Sequence, residues 1–303
     1  MEKLLEIHEE VAEALAKNEP IVALESTIIA HGFNYPENLE CANTCEKIIR
    51  DAQATPATIA LLGGKIKIGL NKNEIEYLAD SESIIKCSRR DIAAVLSQKQ
   101  DGATTVSGTM ICAEMAGIPI FATGGIGGVH RGAESTFDIS ADLQELAQTK
   151  VAVVCAGAKS ILDIPLTREY LETAGVPVIG YNTEDFPNFY TRKSGTKVDY
   201  NLPTAKAIAD FIHTSQKIGL RGGMLICNPI PHENELDYDY IEEKINDALE
   251  EANKKGIAGK DSTPFLLAKL SEATKGKSVA ANKALVYNNA KAAAEIAKQM
   301  ISN

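Results

Sequence analysis

Lys159 stands where an apolar run, Val151–Cys155, gives way to a predicted helix that begins near Ser160. The positive end of a helix dipole and a poorly solvated cleft both disfavour the charged form of a lysine side chain. A neutral amine attacks carbonyl carbons and forms an imine. The position equally suits a lysine that binds phosphate or a carboxylate as a point charge, and both interpretations stay open.

Glu25 is a second candidate, because it directly follows the apolar run Ile21–Leu24 and precedes the uncharged run Ser26–Ala30. Burial at the end of a strand would raise the pKa of its carboxyl group toward the range that suits a general acid. Position alone favours a structural explanation, such as a hydrogen-bonded glutamate at a strand end or a contact with the N-terminal helix.

The segment Ala122–Gly132 reads ATGGIGGVHRG and is rich in glycine. Glycines let backbone amides approach an anion closely, and His130 and Arg131 add side-chain donors. The segment does not match the dinucleotide-binding fingerprint, because His130 takes the place of the final glycine. Taken alone, such a segment is explained more often by a tight turn than by a ligand.

Asp138 and Asp142 are spaced as i and i+4 at the start of a predicted helix, with Ser140 between them. Their carboxylates suit a hard cation such as Mg²⁺ or Mn²⁺, which prefers oxygen ligands and often keeps bound waters. Without other observations, capping of the helix by Asp138 is the more frequent role.

The segment Lys86–Asp91 reads KCSRRD and forms a compact basic patch in an acidic chain. Such a patch can bind the phosphate of a monoester through charge-assisted hydrogen bonds. Ordinary surface charge at the end of a strand explains it equally well.

These candidates follow apolar runs that alternate with amphipathic segments, a pattern that predicts an α/β fold with a mostly parallel sheet covered by helices on both faces. The predicted strands are Ile21–Leu24, Thr58–Leu62, Ile84–Cys87, Pro119–Ala122, Val151–Cys155, Val176–Gly180 and Gly223–Cys227. The predicted helices are Asn38–Ala52, Asp91–Gln98, Ala141–Gln148, Ser160–Thr173 and Thr204–Ile218. Because ligands bind beyond the carboxyl ends of parallel strands, we expect the polar residues that follow them to meet in one site.

The last third of the chain has a different character. After Pro231, the segments Tyr238–Asn253, Phe265–Ala273 and Val279–Ile301 predict helices with little strand between them. No linker rich in Gly or Ser separates them from the rest, which favours a single domain over residues 1–303 with a helical C-terminal part. Gly63–Gly69, with its alternating lysines and isoleucines, predicts a short hairpin.

Composition restricts the classes of function. The formal net charge of −10 argues against polynucleotide binding, which depends on clustered Lys and Arg, but it leaves room for a small anion in a basic pocket. No apolar stretch of about 18 residues and no signal sequence are present, which predicts a cytoplasmic protein without membrane partners. The six cysteines lie mostly in apolar runs and predict reduced core thiols, and Cys41 and Cys45 lack the further ligands that a metal site needs.

Several long segments together resemble the pseudouridine-5′-phosphate glycosidase family, also described as indigoidine-synthase-A-like. They are Val22–His31 (VALESTIIAH), Lys86–Asp91 (KCSRRD), Gly102–Val106 (GATTV), Phe121–Ala133 (FATGGIGGVHRGA), Thr136–Ala147 (TFDISADLQELA), Val153–Leu162 (VVCAGAKSIL), Asn228–Pro231 (NPIP) and Gly259–Leu267 (GKDSTPFLL). The resemblance runs from about Ile21 to the last helix. Motifs of this length and order are far more specific than a single glycine-rich segment.

The resemblance implies reversible conversion of pseudouridine 5′-phosphate and water to uracil and ribose 5-phosphate. It implies one divalent metal per subunit, usually Mn²⁺ with Mg²⁺ as the alternative, and a homotrimer. The sugar of this substrate is joined to a carbon of uracil, so the leaving group would be a poor carbanion and an electron sink is needed.

By the same resemblance, Lys159 forms an imine with the anomeric carbon of the ring-opened sugar, Glu25 shuttles protons, and Asp138 is a metal ligand. The positions that match substrate contacts are Lys86, Val106 through its backbone, Ser140, Ala141 and Asp142. His130 and Asn282 match polar residues near the pocket.

Three other interpretations stay open. Lys159, a basic patch and a metal-binding carboxylate would also serve an imine-forming lyase that acts on another sugar phosphate. The chain could instead be a non-catalytic protein that binds a sugar phosphate, with Lys159 as a charge partner only. A related glycoside in a pigment pathway is the third, in keeping with the second name of the family.

Overall fold

The computed structural model describes residues 4–257, 259 and 262–301, and a large sheet forms their centre. The strands are β1 (Leu5–Ile7), β2 (Ile21–Leu24), β3 (Thr55–Leu62), β4 (Lys65–Ile68), β5 (Ile85–Cys87), β6 (Gly102–Thr104), β7 (Ile120–Ala122), β8 (Val129–His130), β9 (Ala152–Cys155), β10 (Leu162–Asp163), β11 (Val178–Tyr181), β12 (Tyr200–Leu202) and β13 (Met224–Cys227). Within the described residues, 11 of these strands form one sheet, in the order β1-β4-β3-β2-β7-β9-β13-β11-β12, with β5 and β6 joined to it through β3.

Helices alternate with the strands along most of the chain and then follow one another at its end. They are α1 (Glu9–Ala16), α2 (Glu37–Asp51), α3 (Lys72–Asp80), α4 (Arg89–Ser97), α5 (Val106–Ala116), α6 (Ala133–Thr136), α7 (Ala141–Leu146), α8 (Ile164–Thr173), α9 (Ala205–Lys217), α10 (Tyr238–Lys255), α11 (Ser262–Ala273) and α12 (Lys277–Ile301). A π-helical turn covers Ile28–Gly32, and a 3₁₀ turn covers His232–Asn234.

The central strands pair in parallel, from β3 through β2, β7, β9, β13 and β11 to β12. Every residue of β2, β9 and β13 is buried, which explains why these strands are uninterrupted apolar runs in the sequence. The prediction of a mostly parallel sheet, with helices on both faces and a helical C-terminal part, is confirmed. Among the C-terminal helices, α12 packs directly on β2, β7 and β9.

The predicted hairpin is confirmed as well. Strands β3 and β4 pair antiparallel, with Leu62 opposite Lys65, and β4 buries Ile66 and Ile68 while its two lysines are half-buried. Strand β3 also pairs antiparallel with β6, so the sheet branches where the parallel part ends.

One predicted helix begins in the wrong place. Helix α8 starts at Ile164 instead of Ser160, because Asp163 caps it by accepting a hydrogen bond of 2.9 Å from the backbone N–H of Leu166, and Pro165 occupies its first turn. The preceding residues Leu162–Asp163 form β10, which pairs antiparallel with β8. Helix α7 is shorter than predicted and ends at Leu146.

The cysteines are all within the described residues, and each is a free, buried thiol, as predicted. Burial raises the pKa of Cys87, Cys112 and Cys155 to about 12, so these thiols stay protonated. None of the helices in the described part of the chain is both long and apolar enough to cross a membrane. The single domain over residues 1–303 stays a prediction.

Candidate active site

A cleft of about 750 Å³ opens at the carboxyl ends of the neighbouring strands β2, β7 and β9. Ten of the residues singled out from the sequence line it, namely Glu25, Lys86, Val106, His130, Asp138, Ser140, Ala141, Asp142, Lys159 and Asn282. Glu25 directly follows β2, and Lys159 lies in the loop after β9. The parallel sheet therefore brings together residues that are far apart in the sequence, as expected for a site at strand ends.

Lys159 lies in a turn, so the helix dipole invoked for it from the sequence does not act on it. Its backbone N–H donates to the oxygen of Ile126 at 3.1 Å, and its own carbonyl accepts from the N–H of Leu162 at 3.0 Å. Its Nζ donates to the carbonyl oxygen of Gly125 at 2.6 Å. The main chain and the amine are thus both held by hydrogen bonds, two of them to the glycine-rich loop.

The glycines of that loop permit close packing. A Cβ atom at Gly125 would lie 2.6 Å from the ring of Phe189, and one at Gly127 would lie 2.2 Å from Oγ of Ser140. Phe189 is buried, lines the cleft and has a left-handed backbone with φ of 56°. This residue was missed from the sequence, because a phenylalanine in an irregular segment carries no recognisable signal.

Glu25 is half-buried in the lining of the cleft and accepts a hydrogen bond from the hydroxyl of Thr123, the residue that follows β7. Burial raises the pKa of the Glu25 carboxyl, while the nearby charge of Lys159 and the Thr123 hydroxyl oppose this rise. The net shift is upward, which fits the general acid predicted from the sequence. Thr123 itself is buried and was not singled out from the sequence.

Two buried asparagines fix the loop that carries Thr123. Nδ2 of Asn289, on α12, donates to the carbonyl oxygens of Thr123 at 2.8 Å and Gly124 at 3.3 Å. Oδ1 of Asn289 accepts from Nδ2 of Asn228 at 3.0 Å. Asn228 belongs to the NPIP segment, whereas Asn289 lies in none of the segments that resemble the family. In the sequence, Asn289 could have been noticed only as a polar residue on the apolar face of a predicted helix.

Asp142 braces two elements of the site. Its Oδ1 accepts from the backbone N–H of Ser107 in α5 at 2.9 Å, and its Oδ2 accepts from the N–H of Gly127 at 2.8 Å. Ser140 provides the cap of α7, since its Oγ accepts from the N–H of Asp142 at 3.3 Å. The alternative role of Asp138 as the helix cap is therefore wrong.

Asp138 is half-buried in the wall of the cleft, and its Oδ2 lies 3.9 Å from Nδ1 of His130. Burial lowers the pKa of His130, while the charge of Asp138 opposes this shift, so the imidazole is mostly neutral at pH 7.

In the part of the chain that the structure describes, no group of three or more His, Cys, Asp and Glu side chains could hold a metal ion. A cation at Asp138 would keep water or substrate oxygens at most of its coordination positions.

The basic side of the cleft differs in part from the prediction. Lys86 lines it from β5, and Val106 is the first residue of α5, where backbone N–H groups lack intrahelical partners. Arg89 instead binds Glu145, with Nε–Oε2 and Nη2–Oε1 distances of 2.7 and 2.6 Å. Asn282, on α12, places a buried Oδ1 that accepts no hydrogen bond within the described residues.

Arg131, predicted as a donor to an anion, does not line the cleft. Its guanidinium group forms a paired hydrogen bond with the carboxylate of Glu242 on α10, with Nη1–Oε1 and Nη2–Oε2 distances of 2.5 and 3.0 Å. The prediction is wrong because the guanidinium group is bound to Glu242 outside the cleft, whereas His130 lines the cleft. Of the segment Gly259–Leu267, Lys260 and Asp261 lie outside the described residues.

Residues 10–299 match the family model described as "Indigoidine synthase A like protein". The chain is 62% identical over 301 residues to a protein from Clostridium botulinum named pseudouridine-5′-phosphate glycosidase, which covers 99% of this chain and 98% of the relative. A protein of the same name from Geobacillus kaustophilus is 60% identical over 300 residues, covering 99% of this chain and 100% of the relative.

Two solved structures are similar over nearly the whole chain. The prealnumycin C-glycosynthase AlnA, in complex with ribulose 5-phosphate, matches with a TM-score of 0.92 and 40% identity, covering 99% of this chain and 98% of AlnA. An indigoidine synthase A (IdgA)-like protein from Thermotoga maritima matches with a TM-score of 0.89 and 34% identity, covering 98% of this chain and 97% of that protein.

Proposed function

The chain belongs to the family of indigoidine synthase A like proteins, and from this membership we infer that it is an enzyme that cleaves the C-glycosidic bond of pseudouridine 5′-phosphate. The products are uracil and ribose 5-phosphate, and the reaction is reversible. The relatives that carry the name of this activity are similar over almost their whole length, so the inference concerns the complete chain.

The observation that carries the mechanism is the placement of a lysine amine and a carboxyl group of raised pKa in one cleft. Lys159 and Glu25 both line it, and the charge of Lys159 acts on the pKa of Glu25. Once it has lost its extra proton, the amine can donate one hydrogen to the Gly125 carbonyl and still present its lone pair to a carbon electrophile. Glu25 is the group that stands ready to supply a proton.

In the proposed reaction, the neutral amine of Lys159 forms a bond to C1′ as the C1′–O4′ bond of the ribose ring breaks. O4′ keeps the electron pair of that bond and takes the proton that the nitrogen loses, so the ring opens to a chain with a free hydroxyl group. As the bond from C1′ to C5 of uracil breaks, the nitrogen lone pair forms the C=N bond, and the electrons of the broken bond pass to C5. The proton of the Glu25 carboxyl is transferred to C5, which releases uracil. Water then hydrolyses the imine, yielding the aldehyde of ribose 5-phosphate and returning the amine and the proton.

The remaining residues bind and orient the substrate in this proposal. Lys86 and the backbone N–H of Val106, at the start of α5, bind the phosphate, which suits the positive end of a helix. Ser140 and Ala141 contact the substrate next to Lys86 and Val106. Asp142 fixes the position of α5 relative to the glycine-rich loop. His130 and Asn282 border the uracil.

A divalent cation, Mn²⁺ or Mg²⁺, fits Asp138 as its one protein carboxylate. Hard cations of this kind often keep several waters, so they can bind where the described residues offer no group of three or more ligand side chains. The cation would supply positive charge that orients substrate oxygens. We further propose that the protein acts in the cytoplasm on a small nucleotide, and that it assembles as a homotrimer like the family it resembles.

A second candidate is an imine-forming enzyme for another sugar phosphate. The complex of the similar C-glycosynthase AlnA with ribulose 5-phosphate favours this alternative, because it shows that a protein of this fold binds a different phosphorylated sugar. A non-catalytic sugar-phosphate-binding protein would use Lys159 as a charge only.

One experiment separates the three. In the first sample, the purified protein is incubated with pseudouridine 5′-phosphate and Mn²⁺, and the released uracil is measured by chromatography. In a parallel sample, the protein is incubated with ribose 5-phosphate and reduced with borohydride, and the mass of the protein is measured by mass spectrometry. Uracil release together with a covalent sugar adduct is the expected result. An adduct without uracil release would favour an enzyme for another sugar phosphate. If neither uracil nor an adduct is detected, the chain would be a protein that only binds a sugar phosphate.

A further inference from the structure

We propose that Arg131 is a positioning residue for Lys159, and that Glu242 and Asn246 of α10 hold Arg131 in place, so that the C-terminal helical part supports the nucleophile. The proposal rests on the role assigned to Lys159 in the proposed function. Arg131 does not contact the cleft, and its effect passes through the main chain of the turn that carries Lys159.

The turn is the first step of the argument. Lys159 and Leu162 close it through a 3.0 Å hydrogen bond from the N–H of Leu162 to the carbonyl of Lys159. The carbonyl of Ser160 lies within this turn and accepts from Nη2 of Arg131 at 3.0 Å. Ser160 is buried, so a carbonyl left without this donor would lose its hydrogen bond in a site with little water.

The second step is the anchoring of Arg131. The paired contact with Glu242 uses both terminal nitrogens, and Nη1 also donates to Oδ1 of Asn246 at 3.1 Å. The side chains of Arg131 and Glu242 are 27% and 26% exposed, so water screens this pair much less than it screens surface pairs. A guanidinium fork held on two sides has little freedom to move away from Ser160.

The strands give the third step. Arg131 directly follows β8, and β8 pairs with β10, which begins at the end of the Lys159 turn, with His130 opposite Leu162. Arg131 therefore joins two chain segments that the pairing of β8 with β10 already brings side by side. Its contacts with α10 hold both segments in place. A shift of about 1 Å in a reacting group lowers a rate by about 100-fold, so a small loss of order in this turn has a large effect on catalysis.

The test compares Arg131→Met and Glu242→Gln with wild type in single-turnover uracil release, with enzyme in excess over pseudouridine 5′-phosphate. Under saturating enzyme this first-order rate constant does not depend on the fraction of folded protein. We expect a fall of at least about tenfold for Arg131→Met, a smaller fall for Glu242→Gln, and little change in the enzyme concentration that gives half-maximal rate. Glu250→Gln is the matched control, because Glu250 lies on the same helix and forms an exposed ion pair with Lys254.

Hydrogen exchange of the peptide that spans residues 159–162 gives the second readout. Faster exchange in Arg131→Met and Glu242→Gln, but not in Glu250→Gln, is expected if the network orders the turn. Rate constants and exchange that both stay at wild-type values would overturn the proposal, and so would slower uracil release with unchanged exchange. If wild-type protein releases no uracil, the proposed function fails, and the exchange measurement still decides whether Arg131 positions Lys159.

Discussion

Lys159 and Gly125 are joined by a 2.6 Å hydrogen bond in which the lysine amine donates to a main-chain carbonyl. The carbonyl belongs to a residue that cannot carry a side chain, because Phe189 fills the space where a Cβ atom would lie. The contact therefore aims the amine by backbone geometry, and the direction of the amine does not depend on the rotamer of a second side chain.

Replacement of Lys159 by arginine should abolish turnover. The guanidinium group keeps the positive charge but stays protonated and forms no imine, so uracil release should fall by at least about 10⁴-fold, the scale on which loss of a nucleophile acts. Borohydride with ribose 5-phosphate should leave no adduct on this variant. Lys150→Arg, at an exposed lysine, is the control that should label and turn over like wild type. Appreciable turnover by Lys159→Arg would show that the lysine acts as a charge only.

Replacement of Glu25 by glutamine should separate the two halves of the reaction. The amide has the shape of the carboxyl group but cannot supply its proton, so uracil release should fall by about 10² to 10⁴-fold. Trapping of ribose 5-phosphate on Lys159 should persist, because that adduct needs no proton transfer to uracil. Glu46→Gln is the matched control, since burial also raises the pKa of Glu46 although this residue lies outside the cleft. Loss of trapping in Glu25→Gln would assign Glu25 a wider role.

The architecture and the members of the site could be predicted from the sequence for a specific reason. Buried parallel strands are continuous apolar runs, and the residues after them meet at one sheet edge, so Glu25 and Lys159 were expected in one cleft, and both line it. The reason given for Lys159 failed, because Asp163 and Pro165 delay the start of α8 and a two-residue strand intervenes. Short strands and caps depend on local contacts that periodicity does not record.

The supporting residues were beyond prediction for a different reason. Arg131 and Glu242 are more than a hundred residues apart, and no pattern links them before the chain is folded. Asn289 appears in the sequence as one more polar residue of a long helix, although its side chain joins three loop groups. Such contacts follow from the way α10 and α12 pack, which the apolar pattern of each helix does not specify.

The pH dependence of uracil release should change when Thr123 is replaced by valine. The Thr123 hydroxyl donates to Glu25 and thereby lowers the pKa of a carboxyl group that burial raises. Cleavage requires the protonated carboxyl group, so activity is lost as the pH rises through this pKa. Without the hydroxyl the pKa rises further, and the alkaline limb of a kcat profile should move to higher pH. Thr123→Ser keeps the donor and should leave the limb in place; a shift to lower pH in Thr123→Val would contradict the assignment.

Binding of Mn²⁺ should depend on Asp138. Its carboxylate is the proposed protein ligand, and an asparagine amide carries no negative charge for a hard cation. We expect Asp138→Asn to lower the affinity for Mn²⁺ by at least about tenfold, measured from the electron paramagnetic resonance signal of free Mn²⁺. Glu134→Gln, at an exposed residue of α6, is the control for general loss of negative charge. Equal affinity in wild type and Asp138→Asn would place the cation elsewhere.

Stability should depend on the contact between Arg89 and Glu145. The Glu145 side chain is 1% exposed and accepts from Arg89, from Oγ of Ser107 at 3.3 Å and from the hydroxyl of Thr149. Arg89→Ala leaves a buried carboxylate without its charged donor, which costs less than in a fully buried pair because the arginine side chain is 53% exposed and water can replace part of it. We expect the free energy of unfolding to fall by about 1–3 kcal/mol in urea titrations. Arg90→Ala, at a neighbouring side chain that is 80% exposed, should change it by less than about 0.5 kcal/mol. Equal effects of the two substitutions would show that the buried carboxylate does not depend on Arg89.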